Sequence, residues 1–179
     1  MLEIQDCCLT VVDVQGKLAQ LMADKEALFK NIRILIQAAQ ILEIPILWCE
    51  QVPAALGPTV PEIAELLTGL EPIDKASFSC CGQEQFNAQL NTLAKEQVLL
   101  CGIETHVCIY QTAMDLMEGG LDVTVPADAV SSRTEQNRQI ALTRLAAEGA
   151  HISSTEMTLF ELLKTAKHPK FKDIAKLVK

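Results

Sequence analysis

Two patterns alternate along this chain, and their alternation constrains the fold more than any other feature. Short, nearly unbroken apolar runs exchange with longer segments whose apolar residues recur at helical spacing. An apolar run without polar alternation needs cover on both faces, which is the situation of a strand in a parallel sheet. The helical segments supply both the cover and the crossover that each parallel pair requires. Strands are predicted at 8–13, 46–49, 73–78, 97–103, 121–126 and 151–153. Helices are predicted at 27–42, 61–67, 84–94 and 105–117, from a cap at Ser132 or Thr134 to 148, and at 157–164 and 171–179. In the first long helix Leu28, Ile32, Leu35, Ile36, Ala39 and Leu42 share one face. Gly119-Gly120 and Gly149 are placed where helices stop. The expectation is a single domain over 1–179, a three-layer α/β sandwich of Rossmann-like type, with an about six-stranded parallel sheet and helices on both faces. The segment after His168-Pro169 is expected to leave the body and to suit contact with another subunit.

Composition narrows the function. The chain is 49% hydrophobic and 21% charged, the balance of a compact globule. Its net charge of −8 argues against nucleic acid as a partner, because phosphate binding calls for a basic face. No apolar run approaches membrane-spanning length, so no membrane partner is expected. Of seven cysteines, two pairs are adjacent, no C-x-x-C occurs, and no basic, apolar leader precedes them. That usage reads as a reduced, cytoplasmic chain without a disulfide framework or a zinc site. No G-x-G-x-x-G or phosphate loop is present, which leaves dinucleotide binding a weak reading.

The chemistry concentrates where the strands end. Ligands of open α/β sheets bind beyond the carboxyl ends of the strands. Asp13 closes the first predicted strand, Lys75 lies in the third, and Cys108 follows the fourth by one glycine-containing turn. The three share one sheet edge if the first and fourth strands are neighbours. A thiol in the first turn of a helix meets unsatisfied N–H groups and the positive end of the dipole, which favours the thiolate. Asp13 could take the thiol proton, Lys75 could lower the pKa of both, and N–H groups from Glu104 to Cys108 could receive an oxyanion. Each residue has a plainer reading as turn former, surface charge or core thiol; their co-location favours the sharper one.

Other residues are candidates for the surroundings. Gln15 is expected on the face of Asp13, able to donate an amide hydrogen to substrate or to bond a loop. Trp48 and Phe78 could line an apolar pocket, with Trp48 equally suited to the core. Glu104 would raise the thiol pKa unless it faces away, pairs with a basic residue or binds a substrate amine. His106 is expected to face away from Cys108.

Four segments, 12–15, 74–79, 102–108 and 128–133, carry a resemblance to the isochorismatase-like cysteine hydrolases. The resemblance spans nearly the whole chain and implies Asp13, Lys75 and Cys108 as catalytic residues. It also implies a cis peptide at Ile103–Glu104, with Ile103, Glu104, Thr105, Gln15 and Gln51 near substrate or oxyanion. Nicotinamidases in this family hold a metal with an Asp/His cluster after the second strand. The corresponding loop, 51–62, has no histidine, so neither metal nor other cofactor is expected. The resemblance implies a small-molecule substrate and a homo-oligomer, dimer or tetramer. The leading expectation is a metal-independent hydrolase that cleaves a C–N bond of a small amide or carbamoyl compound through a Cys108 thioester. The alternatives are a non-catalytic interaction protein on the same fold and a thiol redox sensor with Cys101 as resolving cysteine.

Overall fold

A computed structural model describes all of residues 1–179. In chain order the elements are β1 (Cys7–Val12), α1 (Gly16–Gln20), α2 (Lys25–Ile41), β2 (Ile46–Gln51), α3 (Pro53–Leu56), α4 (Pro61–Ala64), β3 (Ile73–Lys75), α5 (Glu84–Leu93) and β4 (Gln97–Ile103). A π-helical turn, Thr105–Ile109, then leads into α6 (Tyr110–Glu118), β5 (Asp122–Pro126), β6 (Val130–Ser131), α7 (Glu135–Ala147), β7 (His151–Ser153), α8 (Thr155–Leu163) and α9 (Phe171–Leu177). The strands form one parallel sheet in the order β3-β2-β1-β4-β5-β7, with β6 continuing beside the end of β4.

The sheet has seven strands where about six were expected. The extra one, β6, is two residues long, too short to show any period. β3 stops at Lys75 instead of running to 78, and the helix expected from 105 opens as the π turn. The predicted helix at 61–67 shortens to α4. The C-terminal helix does not leave the body. Ile174 of α9 is fully buried in the chain's own core, beside residues of α2 and α8.

The continuous apolar runs are explained by the two cores that the sheet separates. Cys7, Leu9 and Val11 of β1 face the α2, α8 and α9 layer, whereas Cys8 and Val12 face the α5, α6 and α7 layer. β4 divides the same way, with Leu99, Cys101 and Ile103 on one side and Val98 and Leu100 on the other. The thiols of Cys7 and Cys8 are pushed up to about 12, chiefly by burial, as befits packing residues. Cys101 lies across the sheet from Cys108, which removes it as a resolving partner.

β1 and β4 lie side by side, with β2 and β3 wound to one flank and β5 and β7 to the other. Their carboxyl ends therefore form the switch point at which such sheets open a crevice. Gly102 makes this closeness possible. It pairs with Val12 at φ +123°, and a Cβ there would stand 2.0 Å from the Val12 carbonyl oxygen. Gly102→Ala should cost at least about 3 kcal/mol. Gly120, also at positive φ but in open space, should lose only about 1–2 kcal/mol on substitution by alanine. Urea unfolding of the two variants checks this, and equal losses would contradict the close-approach argument.

Candidate active site

At the switch point the chain leaves β1 through Asp13, held at φ 55° with its N–H bonded to the Cys49 carbonyl at 3.1 Å. This left-handed step turns the carboxyl group off the alternation of the strand, so that it meets Lys75 and Cys108. Lys75, the last residue of β3, reaches across Gln51 of β2, its register partner. Its Nζ donates to Asp13 Oδ2 at 2.6 Å, to Gln51 Oε1 at 2.6 Å and to the Phe78 carbonyl at 3.0 Å, with the Ser77 carbonyl at 3.3 Å. The three protons of an ammonium are thereby engaged. The ion pair is closed off from solvent, with Asp13 2% and Lys75 3% exposed.

Cys108 projects from the π turn into the same region and is 7% exposed. Asp13 Oδ1 has no hydrogen-bond partner. The Cys108 thiol interacts with the Asp13 carboxylate without completing a bond to that oxygen. The electrostatics then run against the thiolate expected from the sequence. Burial raises the Cys108 pKa, the Asp13 charge raises it further, and the Lys75 ammonium offsets only part. Burial also raises Asp13, against the opposing pull of Lys75. For Lys75 burial is the largest single effect and pulls it down, but the Asp13 charge, its hydrogen bond to Asp13 and the neighbouring Cys80 and Cys108 together raise it. The shifts thus favour a thiol at Cys108 and an ammonium at Lys75, with the ammonium held against the Asp13 carboxyl group.

The outer candidates divide. Gln15 is fully committed to structure: its Nε2 donates to the carbonyls of Gln51 at 3.2 Å and Gly57 at 2.8 Å, and its Oε1 accepts from the Gln51 N–H at 2.6 Å. No amide hydrogen remains for substrate. Trp48 donates from Nε1 to Thr59 Oγ1 at 2.9 Å and packs toward the α2 side, so it holds the 53–60 loop and lines no pocket at the thiol. The Phe78 ring is 54% exposed; its contribution to the cluster is its carbonyl. Glu104 pairs with a basic residue, accepting from the Arg133 N–H at 3.1 Å and Nε at 3.0 Å. The Ile103–Glu104 peptide is cis, Ile103 is fully buried in the core, and Thr105 is buried with an unpartnered hydroxyl. His106 Nδ1 lies 2.9 Å from Ser132 Oγ, away from the cluster.

The sequence reading overlooked Glu50. It is buried at the end of β2, and its Oε1 accepts from Thr59 N at 2.6 Å and Thr59 Oγ1 at 2.7 Å. Its charge adds to the upward push on Asp13. The polar pair Glu50-Gln51 directly after an apolar run was the available signal. Cys80 was also overlooked as a neighbour whose thiol acts on Lys75 and Cys108; nothing in its sequence context marked it. No group of three or more His, Cys, Asp or Glu side chains is arranged to hold a metal ion. A cavity of about 680 Å³ lies at the opposite end of the sheet, beside Gln97, Asp122 and His151.

Fold and site define an α/β protein with a hydrolase fold. The chain belongs to the isochorismatase family: the model of the isochorismatase domain matches residues 7–157. It is 43% identical over 171 residues to isochorismatase domain-containing protein 2 of Danio rerio, covering 95% of this chain and 85% of that protein. Among solved structures, the MAR1 ribonuclease of Caenorhabditis elegans superposes with a TM-score of 0.93 at 39% identity, covering 99% of this chain and 91% of that one. The YcaC protein of Escherichia coli, described as an octameric hydrolase of unknown specificity, shares the fold with a TM-score of 0.92 at 24% identity over 98% and 88% of the two chains. No helix is long and apolar enough to cross a membrane.

A buried pair is costly to break from one side. Lys75→Met should destabilise the fold by about 3–5 kcal/mol, because Asp13 is left buried without its cation. Asp13→Asn in the same chain should recover much of that loss. Denaturant unfolding of both singles and the double measures the coupling, and additive losses would show that the pair does not act as a unit.

Proposed function

We propose that this protein is a cysteine hydrolase that cleaves a C–N bond of a small amide or carbamoyl compound without a metal, with a homo-oligomer as its working form. The observation that carries the reading is the buried Asp13 carboxyl group that meets the Cys108 thiol, with Oδ2 held by Lys75 and Oδ1 left without a partner. As Sγ attacks the carbonyl carbon, Asp13 takes the thiol proton, so the thiolate develops only along the reaction coordinate. Backbone N–H groups between Glu104 and Cys108 receive the carbonyl oxygen as it becomes an oxyanion. Collapse breaks the C–N bond, and the proton on Asp13 passes to the departing amine. Water then adds to the Cys108 thioester with Asp13 again as base, releasing the acid and restoring the thiol. Lys75 exchanges no proton in this scheme; it keeps Asp13 ionised inside a buried site and fixes which oxygen is free.

The ribonuclease name carried by the Caenorhabditis elegans relative supplies the competing class. A chain of net charge −8 is poorly suited to a polyanion, which favours the neutral amide.

Incubation with acrylamide and with a panel of small primary amides, followed by intact mass, tests the reading. The expected result is a single adduct on Cys108, lost in Cys108→Ala and slowed at neutral pH by about 10²-fold or more in Asp13→Asn, the usual range for loss of a general base. Equal labelling of the parent and Asp13→Asn would remove Asp13 from the mechanism. RNA cleavage that survives Cys108→Ala would favour the competing class.

A further inference from the structure

Lys75 does not hold Asp13 alone. A neutral carbonyl, Gln51 Oε1, takes a second proton of the ammonium at the same 2.6 Å. That side chain is anchored at its other end, where Gln51 Nε2 donates to the Ala76 carbonyl at 2.8 Å. Its amide plane is therefore fixed between the backbone just after β3 and the ammonium. The Gln51 backbone is fixed as well. Gln15 Oε1 accepts from its N–H, and Gln15 Nε2 donates to its carbonyl, the two bonds that a neighbouring strand would make. β1 has already ended at Val12. The Gln15 side chain thus substitutes for the missing strand and carries the pairing of β2 on from Cys49 to Gln51.

From this arrangement we infer that Gln51 is a positioning residue for the proposed base, and that Gln15 positions Gln51. By accepting one ammonium proton, Gln51 holds Lys75 to one side of Asp13, so that the cation meets Oδ2 and leaves Oδ1 unshared. A neutral acceptor suits this task. A carboxylate at position 51 would compete for the cation and weaken its hold on Asp13. An apolar side chain would free an ammonium proton to turn onto the open oxygen. The inference rests on Asp13 acting as the base, and the test separates the two.

The charged and titratable groups facing the cluster are Lys75 from β3, Glu50 and Cys49 from β2, Cys80 from the turn after β3, and Cys108 from the π turn. Position 51 is the one varied here, so the others form a constant background. The experiment is the pH dependence of Cys108 alkylation by iodoacetamide, followed by intact mass for the parent, Asp13→Asn, Gln51→Glu and Gln51→Met, with melting temperature recorded for each. If Asp13 is the base, the parent shows a rate limb that Asp13→Asn abolishes. Positioning by Gln51 predicts that Gln51→Glu moves this limb to higher pH by about one unit, a tenfold change in the ionisation equilibrium. Gln51→Met should move it to lower pH and reduce the plateau rate by about tenfold, the corresponding loss of basicity at the open oxygen. A purely structural glutamine would lower the melting temperature in both variants and leave the limb where it is. That result, with Asp13→Asn still abolishing the limb, overturns the inference while the base survives. A limb unchanged in Asp13→Asn overturns the base itself. Should the position-51 variants fail to fold, Gln15→Met supplies the same readout: a displaced limb supports the relay, and an unmoved one refutes it.

Discussion

The site depends on one buried ion pair. Asp13 and Lys75 come from strands that are not neighbours, since β2 lies between β1 and β3, and they meet only because Lys75 reaches past Gln51 at the carboxyl edge. Burying two charges is expensive, and their mutual attraction compensates only when the remaining donors are satisfied. Here the ammonium is satisfied by the carboxylate, a side-chain carbonyl and a backbone carbonyl. The carboxylate is not: Oδ1 is left without a partner. A buried carboxylate oxygen in that state is either a defect or a base awaiting a proton. The neighbouring thiol, pushed up by burial and by that same charge, is the group able to supply one.

The fold serves this pair through two backbone devices. Gly102 lets β4 lie against the end of β1, which puts the segment carrying Cys108 beside Asp13. The left-handed step at Asp13 takes its side chain out of the β1 alternation, where the odd-numbered positions face the α2 layer. Beyond that step the loop 53–60 is stitched back to residues 14–16, with the Val60 N–H on the Val14 carbonyl, the Gly16 N–H on the Pro58 carbonyl, and Glu50 gripping Thr59. These bonds leave the cluster nearly sealed from solvent.

Much of this was legible in the sequence, for a physical reason. Strands covered on both faces must be apolar throughout, so 97–103 and the β1 region announced themselves, and the long helices showed their buried stripe. Asp13, Lys75 and Cys108 could be assigned to one edge because parallel strands all end there. What escaped was whatever depends on a partner distant in sequence. β6 exists only through its pairing with β4. The role of Gln15 is set by a backbone segment 36 residues away. The protonation state of Cys108 was misjudged because local position suggests a helix dipole, whereas the burial and the Asp13 charge that decide it come from the assembled core. Phe78 was misplaced because it falls beyond the end of β3 and is exposed, whereas Trp48 took the core position that the sequence had left open.

The central claim is that Cys108 rests as a thiol beside an ionised Asp13, and gives up its proton only as it reacts. The thiolate ultraviolet absorbance of Cys108, taken as the difference between the parent and Cys108→Ser across a pH titration, tests this most directly. The account predicts no thiolate signal from Cys108 at neutral pH, with the signal rising only in alkaline solution. A Cys108 thiolate already formed at neutral pH would contradict it.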